Sequence, residues 1–207
     1  MLKKTISLLT LSLLTLILII ISLTGCTPNI EGKYIQYQNY DRTPSITITD
    51  NKIISNYPSD EDGNYKCPYK FKDNKITLDD SNIDNDSTKD FYMKNFIYCD
   101  DEDFDFIYGD KCVSDGIVPD KDYFDVTLTD VSSNSKWEYV FTESGVYKLY
   151  SVIGNHRSLF SQGTYKRDGN FLFIKSENYM VDSPIQIEKY YYIKDGKLYT
   201  DVYVSED

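Results

Sequence analysis

From residue 31 onward the chain alternates apolar and polar side chains with a period of two, in short runs broken by turn residues. Such a pattern places one face of a strand in a core and the other in water, and it is incompatible with the 3.6-residue stripe of an amphipathic helix. Ser45-Ile46-Thr47-Ile48-Thr49 turns at Asp50-Asn51 into Lys52-Ile53-Ile54-Ser55. Tyr65 to Phe71 turns at Asp73-Asn74 into Lys75-Ile76-Thr77-Leu78. Further strands are expected at Phe91 to Cys99, Phe104 to Tyr108, Tyr123 to Leu128, Trp137 to Phe141 and Val146 to Val152. The last four are Gly163 to Lys166, Asn170 to Ile174, Ile185 to Ile193 and Leu198 to Val204. Asp168-Gly169 and Asp195-Gly196 suit hairpin turns, because glycine reaches positive φ without steric cost. Composition agrees. Alanine is absent, six leucines follow Gly25, and all 20 tyrosines lie beyond it; Tyr, Phe, Ile, Val and Thr favour a pleated surface where Ala and Leu favour helix. The expected class is all-β, built of antiparallel meanders.

The first 25 residues are a different material. Lys3 and Lys4 precede an apolar run from Ile6 to Leu23, interrupted only by Ser and Thr. A basic head, an apolar helical run and small residues before a cleavage point make a secretory signal peptide. Leu23-Thr24-Gly25-Cys26 resembles the lipobox of bacterial lipoproteins. The resemblance implies cleavage before Cys26 and a diacylglyceryl thioether on its sulfur, with palmitate-type acyl chains holding the protein on the extracytoplasmic face of the cell membrane. A two-chain anchor is physically adequate, since each buried methylene contributes about 0.8 kcal/mol. The expected organisation is a signal peptide over 1–25 and a lipidated tether over 26–30. Two β-meander domains follow, over 31–117 and 118–207, with the junction in the non-alternating stretch Ser114 to Lys121.

Two halves are suggested by internal likeness. Ile46 to Ser55 aligns with Tyr139 to Lys148, and Tyr69 to Leu78 aligns with Thr164 to Phe173. Each half then ends in an aromatic strand pair, Phe96 to Tyr108 in one and Tyr190 to Tyr203 in the other. From Trp137 onward the chain resembles small lipocalin-like β-meander modules of bacterial surface lipoproteins. The likeness rests on Gly163-Thr164-Tyr165 with Asp168-Gly169-Asn170-Phe171-Leu172-Phe173-Ile174, and on Tyr191-Tyr192-Ile193-Lys194-Asp195-Gly196-Lys197-Leu198-Tyr199. The first half departs from it, with Asn for Gly in its turns and an acidic insert. The resemblance implies a scaffold, two tandem small barrels or sheets, and no particular activity.

With Cys26 assigned to lipid, Cys67, Cys99 and Cys112 remain, so one thiol at least is left over from any single intramolecular bridge. Alternation puts Cys67 on an apolar face. A turn at Asp100 to Asp103 would set Cys99 opposite Phe104, against direct cross-strand pairing with Cys112. Three acidic clusters, Asp60-Glu61-Asp62-Gly63-Asn64, Asp79 to Asp90, and Asp100 to Asp105, offer oxygen ligands but fit no EF-hand register. Their charge suits protection of strand ends against aggregation. The sole histidine, His156, lies in the polar loop Gly154-Asn155-His156-Arg157-Ser158 with no nucleophile at a recognisable spacing. Ser133-Asn134-Ser135-Lys136 matches an S-x-x-K string without its partner motifs.

No catalytic constellation, metal site or cofactor motif follows from these residues. Beyond residue 25 the chain carries 20 basic and 33 acidic side chains, a net charge of −13, which excludes sequence-unspecific nucleic-acid binding. The expectation is a membrane-anchored, non-enzymatic binding or interaction protein. Its partner is a protein, peptide or glycan, met by a tyrosine-rich face that includes Tyr190-Tyr191-Tyr192. Two alternatives stand beside it: a lipocalin-like small-molecule carrier, and a sequestering or immunity lipoprotein for a cationic peptide or toxin.

Overall fold

The computed structural model describes residues 28–38, 44–56, 64–79, 95–100, 104–131, 136–179 and 184–206. Residue contacts divide the chain into a unit Met1–Ile30 and a unit Glu31–Asp207. The signal-peptide helix, the lipobox and Cys26 lie outside the described residues. The second unit is antiparallel all-β, and among the described residues it contains no helix.

The first sheet is built from nine short strands. In chain order they are β1 (Gly32–Ile35), β3 (Ser45–Ile48), β4 (Ile53–Asn56), β5 (Asn64–Cys67), β6 (Tyr69–Lys72), β7 (Lys75–Leu78), β8 (Phe96–Cys99), β9 (Phe106–Gly109) and β17 (Val202–Ser205). The hydrogen-bonded order is β5-β4-β3-β1-β17-β9-β8-β7-β6. Its two end strands, β5 and β6, are separated in sequence by Pro68 alone, so the sheet curls almost into a closed ring. Proline lacks the N–H that a ladder needs, which makes it a natural place for one strand to leave its first partner. The Tyr65 to Phe71 run expected as a single strand is therefore two: β5 pairs with β4, and β6 pairs with β7. Asp73 and Asn74 take φ of 51° and 59°, the left-handed pair of a two-residue hairpin turn.

The second sheet is a longer-stranded meander. It runs β10 (Val126–Val131), β11 (Lys136–Phe141), β12 (Val146–Ile153), β13 (His156–Asp168), β14 (Phe171–Asn178), β15 (Ile185–Lys194) and β16 (Lys197–Tyr199), each bonded to the next. A short β2 (Tyr37–Gln38) from the first half adds to the same edge of β15 as β16 does. Here the sequence expectation needs correction. The strand expected at Gly163 to Lys166 is the 13-residue β13, which bonds β12 over His156 to Thr164 and β14 over Ser161 to Asp168. The stretch read as a polar loop is its turn and first strand residues. Gly154 (φ 59°) turns the chain, and His156 pairs with Ile153.

The sheets do not divide at 117/118. Leu198 to Val204, expected as one strand, breaks at Thr200-Asp201: β16 stays in the second sheet, and β17 crosses to the first, between β9 and β1. The non-alternating stretch after β9 does the converse. Val113 and Val118 N–H donate to the carbonyls of Leu198 and Gly196, both at 2.8 Å, while Asp115 exchanges backbone bonds with Thr129 of β10 at 2.8 and 3.0 Å. Residues 113–118 thus bridge β16 and β10. In each half, the segment that follows the last meander strand closes the other half's sheet.

Two interiors and one shared layer result. Inside the first sheet lie Tyr34, Ile46, Ile48, Ile53, Cys67, Ile76, Phe96 and Ile107, all at or below 2% exposure. The second interior is packed by Phe124, Leu128, Phe141, Tyr147, Tyr165, Leu172, Ile174, Tyr191 and their neighbours. Between the sheets, Phe106, Tyr108, Val202 and Val204 meet Phe171, Tyr190, Tyr192 and Tyr199. Phe106 and Tyr108 stand 5.1 and 4.9 Å, centroid to centroid, from the Tyr192 ring. Each such aromatic pair adds about 0.5–1.5 kcal/mol beyond its burial. β9 is consequently buried along both faces.

Candidate functional site

The structure relocates most of the residues singled out from sequence. The tyrosine-rich binding face is the clearest change. Tyr191 lies inside the second sheet, while Tyr190 and Tyr192 lie in the layer between sheets. Tyr34, Tyr98, Tyr108, Tyr147 and Tyr165 are likewise buried. Their rings are engaged in cores rather than presented to a partner. Tyr123 and Tyr179 are exposed, at 47% and 41%.

No disulfide joins Cys67, Cys99 or Cys112 to another of the three, and Cys67 is fully buried. The Cys67 Sγ donates to the Pro68 carbonyl at 3.2 Å. Cys99 pairs with Phe106, not with Phe104. Asp60 to Gly63, Asp80 to Asp90 and Asp101 to Asp103 fall outside the described residues. Among the residues that are described, no group of three His, Cys, Asp or Glu is placed to hold a metal ion. His156 is exposed. Ser133 to Ser135 lie outside the described residues, and Lys136 pairs with Glu138 at 2.9 Å. Arg157 donates to the same carboxylate at 2.7 Å and stacks 3.4 Å from the centroid of the Tyr150 ring. Hydrogen bonds from Lys136 and Arg157 hold the Glu138 carboxyl below its ordinary pKa.

A cluster that sequence reading passed over lies inside the second sheet. Along β15 the inward positions are Ile187, Lys189, Tyr191 and Ile193. The Lys189 ammonium sits 4.8 Å from the centroid of the Tyr191 ring, a cation–π contact. Enclosure in protein pushes its pKa down to about 8, with the Asp201 carboxylate pulling the other way. Lys189 is half-buried as a whole residue. The Tyr191 hydroxyl is bonded to that of Tyr147 at 2.8 Å, both rings being buried. Tyr139 lies edge-on to Tyr191 with centroids 6.0 Å apart. Burial raises the pKa of its hydroxyl against a hydrogen bond with Thr200.

Two serines extend the cluster. Ser176 faces inward beside Ile187, its cross-strand partner, and is diagonal to Lys189, whose partner is Ile174. Such diagonal neighbours lie about 7–8 Å apart, within reach of a lysine. Ser176 is 4% exposed, and its Oγ has no hydrogen-bond partner. Leaving a buried hydroxyl unpaired costs about 1–3 kcal/mol, so the site carries an unmet polar demand. Ser161, also 4% exposed, is diagonal to Ser176 through Gly163. At Gly163 the backbones of β13 and β14 approach so closely that a Cβ would stand 2.0 Å from the Lys175 carbonyl oxygen. The other end of the interior is sealed. The Tyr165 hydroxyl accepts from the Phe124 N–H at 2.9 Å and donates to the Thr142 carbonyl at 3.0 Å. Parity could have found Lys189: it occupies an inward register position in Ile187-x-Lys189-x-Tyr191-x-Ile193.

The arrangement defines a class by architecture, a double antiparallel meander with exchanged closing segments. Comparison with known proteins finds no matching family model, no matching curated protein and no matching solved structure.

Proposed function

We propose that the chain is an extracytoplasmic lipoprotein, held to the bacterial membrane by lipid on Cys26, whose double meander serves as a non-enzymatic binding or interaction module. The observation that carries this reading is the sequence Leu23-Thr24-Gly25-Cys26 at the end of an acid-free, strongly apolar leader. Among the described residues no helix is long and apolar enough to cross a membrane. The four residues 27–30 would span at most about 14 Å when extended, so attachment at Cys26 tethers the body close to the bilayer.

The test is Cys26→Ala in cells fed a labelled fatty acid. Wild type incorporates label and partitions with membranes; the variant takes up none and leaves the membrane fraction. A variant that labels and fractionates as wild type does overturns the reading.

A further inference from the structure

We propose that the open backbone edge of β13 over His156 to Leu159 is a docking surface that takes an extended basic peptide segment of a partner as an added strand. These four residues pair with β12 on one side, from Ile153↔His156 to Tyr150↔Leu159. On the other side β14 joins only farther along, where the Phe160 carbonyl accepts from the Tyr179 N–H at 3.0 Å and Ser161 pairs with Asn178. Among the described residues no strand continues the line of β14 beside His156 to Leu159, and all four are exposed. Ladder parity fixes which groups are on offer. The two-residue turn Gly154-Asn155 closes on Ile153 and His156, the hydrogen-bonded pair of such a hairpin, so the next bonded pair is Ser151↔Ser158. Arg157 and Leu159 belong to the pairs between, and their N–H and C=O groups point to the open side. Two donors and two acceptors thus stand at ladder spacing, the main-chain contacts that strand addition uses.

The usual guards of a strand edge are missing here. No proline or bulge falls within His156 to Leu159, and the Arg157 side chain is drawn off to Glu138 and the Tyr150 ring. Apolar side chains lie beside the edge instead: Ile153, Leu159 and Tyr179 are 62%, 39% and 41% exposed. Charge selects the occupant. The net charge of −13 beyond residue 25 makes two copies of the chain repel, while it draws in a cationic segment. A strand that alternates basic and apolar residues meets both demands, since its apolar side chains share a face with Leu159. The proposal rests on the reading of the double meander as a binding module and names that module's surface; it does not depend on attachment at Cys26.

The experiment titrates the full-length protein in detergent with a capped peptide of alternating lysine and valine, using a glutamate–valine peptide as the opposite-charge control. Amide hydrogen exchange is read residue by residue. Saturable binding of the lysine–valine peptide is expected below about 1 mM, weakening as salt is raised, with the glutamate–valine peptide about tenfold weaker or worse. Exchange slows at the Arg157 and Leu159 amides and changes little at Ser158, whose N–H is already bonded to β12. Leu159→Pro removes an edge donor without removing a bond to β12, and weakens the lysine–valine peptide by about tenfold or more. Leu159→Ala keeps the backbone donor and the alternating protection. Near-ultraviolet circular dichroism checks that each variant is folded, and the exchange pattern of wild type decides the matter if Leu159→Pro is not. Absence of saturation at about 1 mM, equal binding of the two peptides, protection that misses Arg157 and Leu159, or unchanged binding in folded Leu159→Pro overturns the site. Self-association that protects these two amides without peptide assigns the edge to a second copy and overturns the basic occupant. None of these results alters the fatty-acid labelling of wild type or Cys26→Ala, so the two readings fail separately.

Discussion

The two sheets are the same meander carried out at different strand lengths. In the first, β3-β4, then β5 and β6, then β7, β8 and β9 follow one another in strands of four residues. In the second, β11-β12, β13, β14, β15 and β16 follow the same order, with β12 to β15 running eight to 13 residues. The instructive difference is at the strand that must serve two partners. β13 does so continuously, turning its two edges to β12 and β14 with an overlap at Ser161 to Thr164. Its counterpart in the first sheet is cut by Pro68 into β5 and β6, with no overlap at all. A continuous strand requires its neighbours to approach over the shared stretch, and at Gly163 the approach leaves no space for a Cβ. A broken strand avoids the requirement, and its short-stranded interior carries the buried Ser55 opposite Ile46. The continuous one lies in the longer-stranded sheet, whose inner face carries Ser161, Ser176 and Lys189.

The largest effect should come from attacking the exchange that joins the two sheets. β17 belongs by sequence to the second half and by pairing to the first, and Val204 faces the layer between them. Val204→Asp places a carboxylate in that layer opposite aromatic rings, a change expected to remove about 3 kcal/mol or more. Trp137, the sole tryptophan, packs edge-on to Phe160 in the second sheet and so reports on that half alone. Urea unfolding followed by its fluorescence should shift together with the circular dichroism transition, because the shared layer couples the halves. A fluorescence midpoint that stays in place while the dichroism midpoint falls would mean that the sheets unfold separately, and the exchange is then a matter of connectivity alone.

Second in size is the contrast at the two-partner strand. Gly163→Ala drives a methyl into the backbone of β14, 2.0 Å from the Lys175 carbonyl oxygen and 2.5 Å from the Ser176 Cα, and neither is a flexible side-chain end. Overpacking of this kind typically costs about 1–3 kcal/mol, and the upper end is expected. Pro68→Ala at the corresponding place in the first sheet relieves no clash and creates none. Its cost is about 0.4–1 kcal/mol, the loss of proline's restriction of the unfolded chain. Chemical denaturation of both variants checks the ordering. Equal losses would remove the distinction between the continuous and the broken strand.

Much of this was readable locally. The hairpins at Asp50-Asn51, Asp73-Asn74 and Asp195-Gly196 fall where turn chemistry put them, since two residues with positive or adaptable φ decide a hairpin without reference to the rest of the fold. Alternation also puts Tyr190-Tyr191-Tyr192 on both faces of one strand, but it does not show that both faces are covered. What was not readable depends on distant partners. Tyr199-Thr200-Asp201-Val202 keeps the alternating pattern across the point where the strand changes sheets, so nothing local marks the break. Residues 113–118 close a sheet with a handful of backbone bonds and no alternation. His156-Arg157-Ser158 carries polar side chains toward both faces because this end of the β12–β13 hairpin is exposed on both, and such a strand looks like a loop. Lys189 was legible by register but masked by its type, since lysine in a strand is ordinarily assigned to the solvent face.

The smallest effect concerns the exposed end of that hairpin, which has no counterpart in the short-stranded first sheet. Glu138 on β11 receives Lys136 and Arg157, and Arg157 lies on Tyr150, tying β11, β12 and β13 together beyond the packed interior. The carboxyl is held below its ordinary value by these two hydrogen bonds. Its contribution is therefore present above the unfolded-state pKa, near 4.5, and is lost as pH falls through the lower folded value. Both cations are about half exposed, with side-chain exposures of 42% and 47%, so screening limits the gain to about 1 kcal/mol or less. Glu138→Gln should lower stability by that amount at pH 7 and at low salt, with the gap to wild type closing below pH 4 and narrowing in 1 M salt. Thermal unfolding across pH 3 to 7 reads this directly. A gap that persists at pH 3 would assign the loss to packing on Tyr150 rather than to charge, and the overhanging hairpin would then be held as the buried parts are.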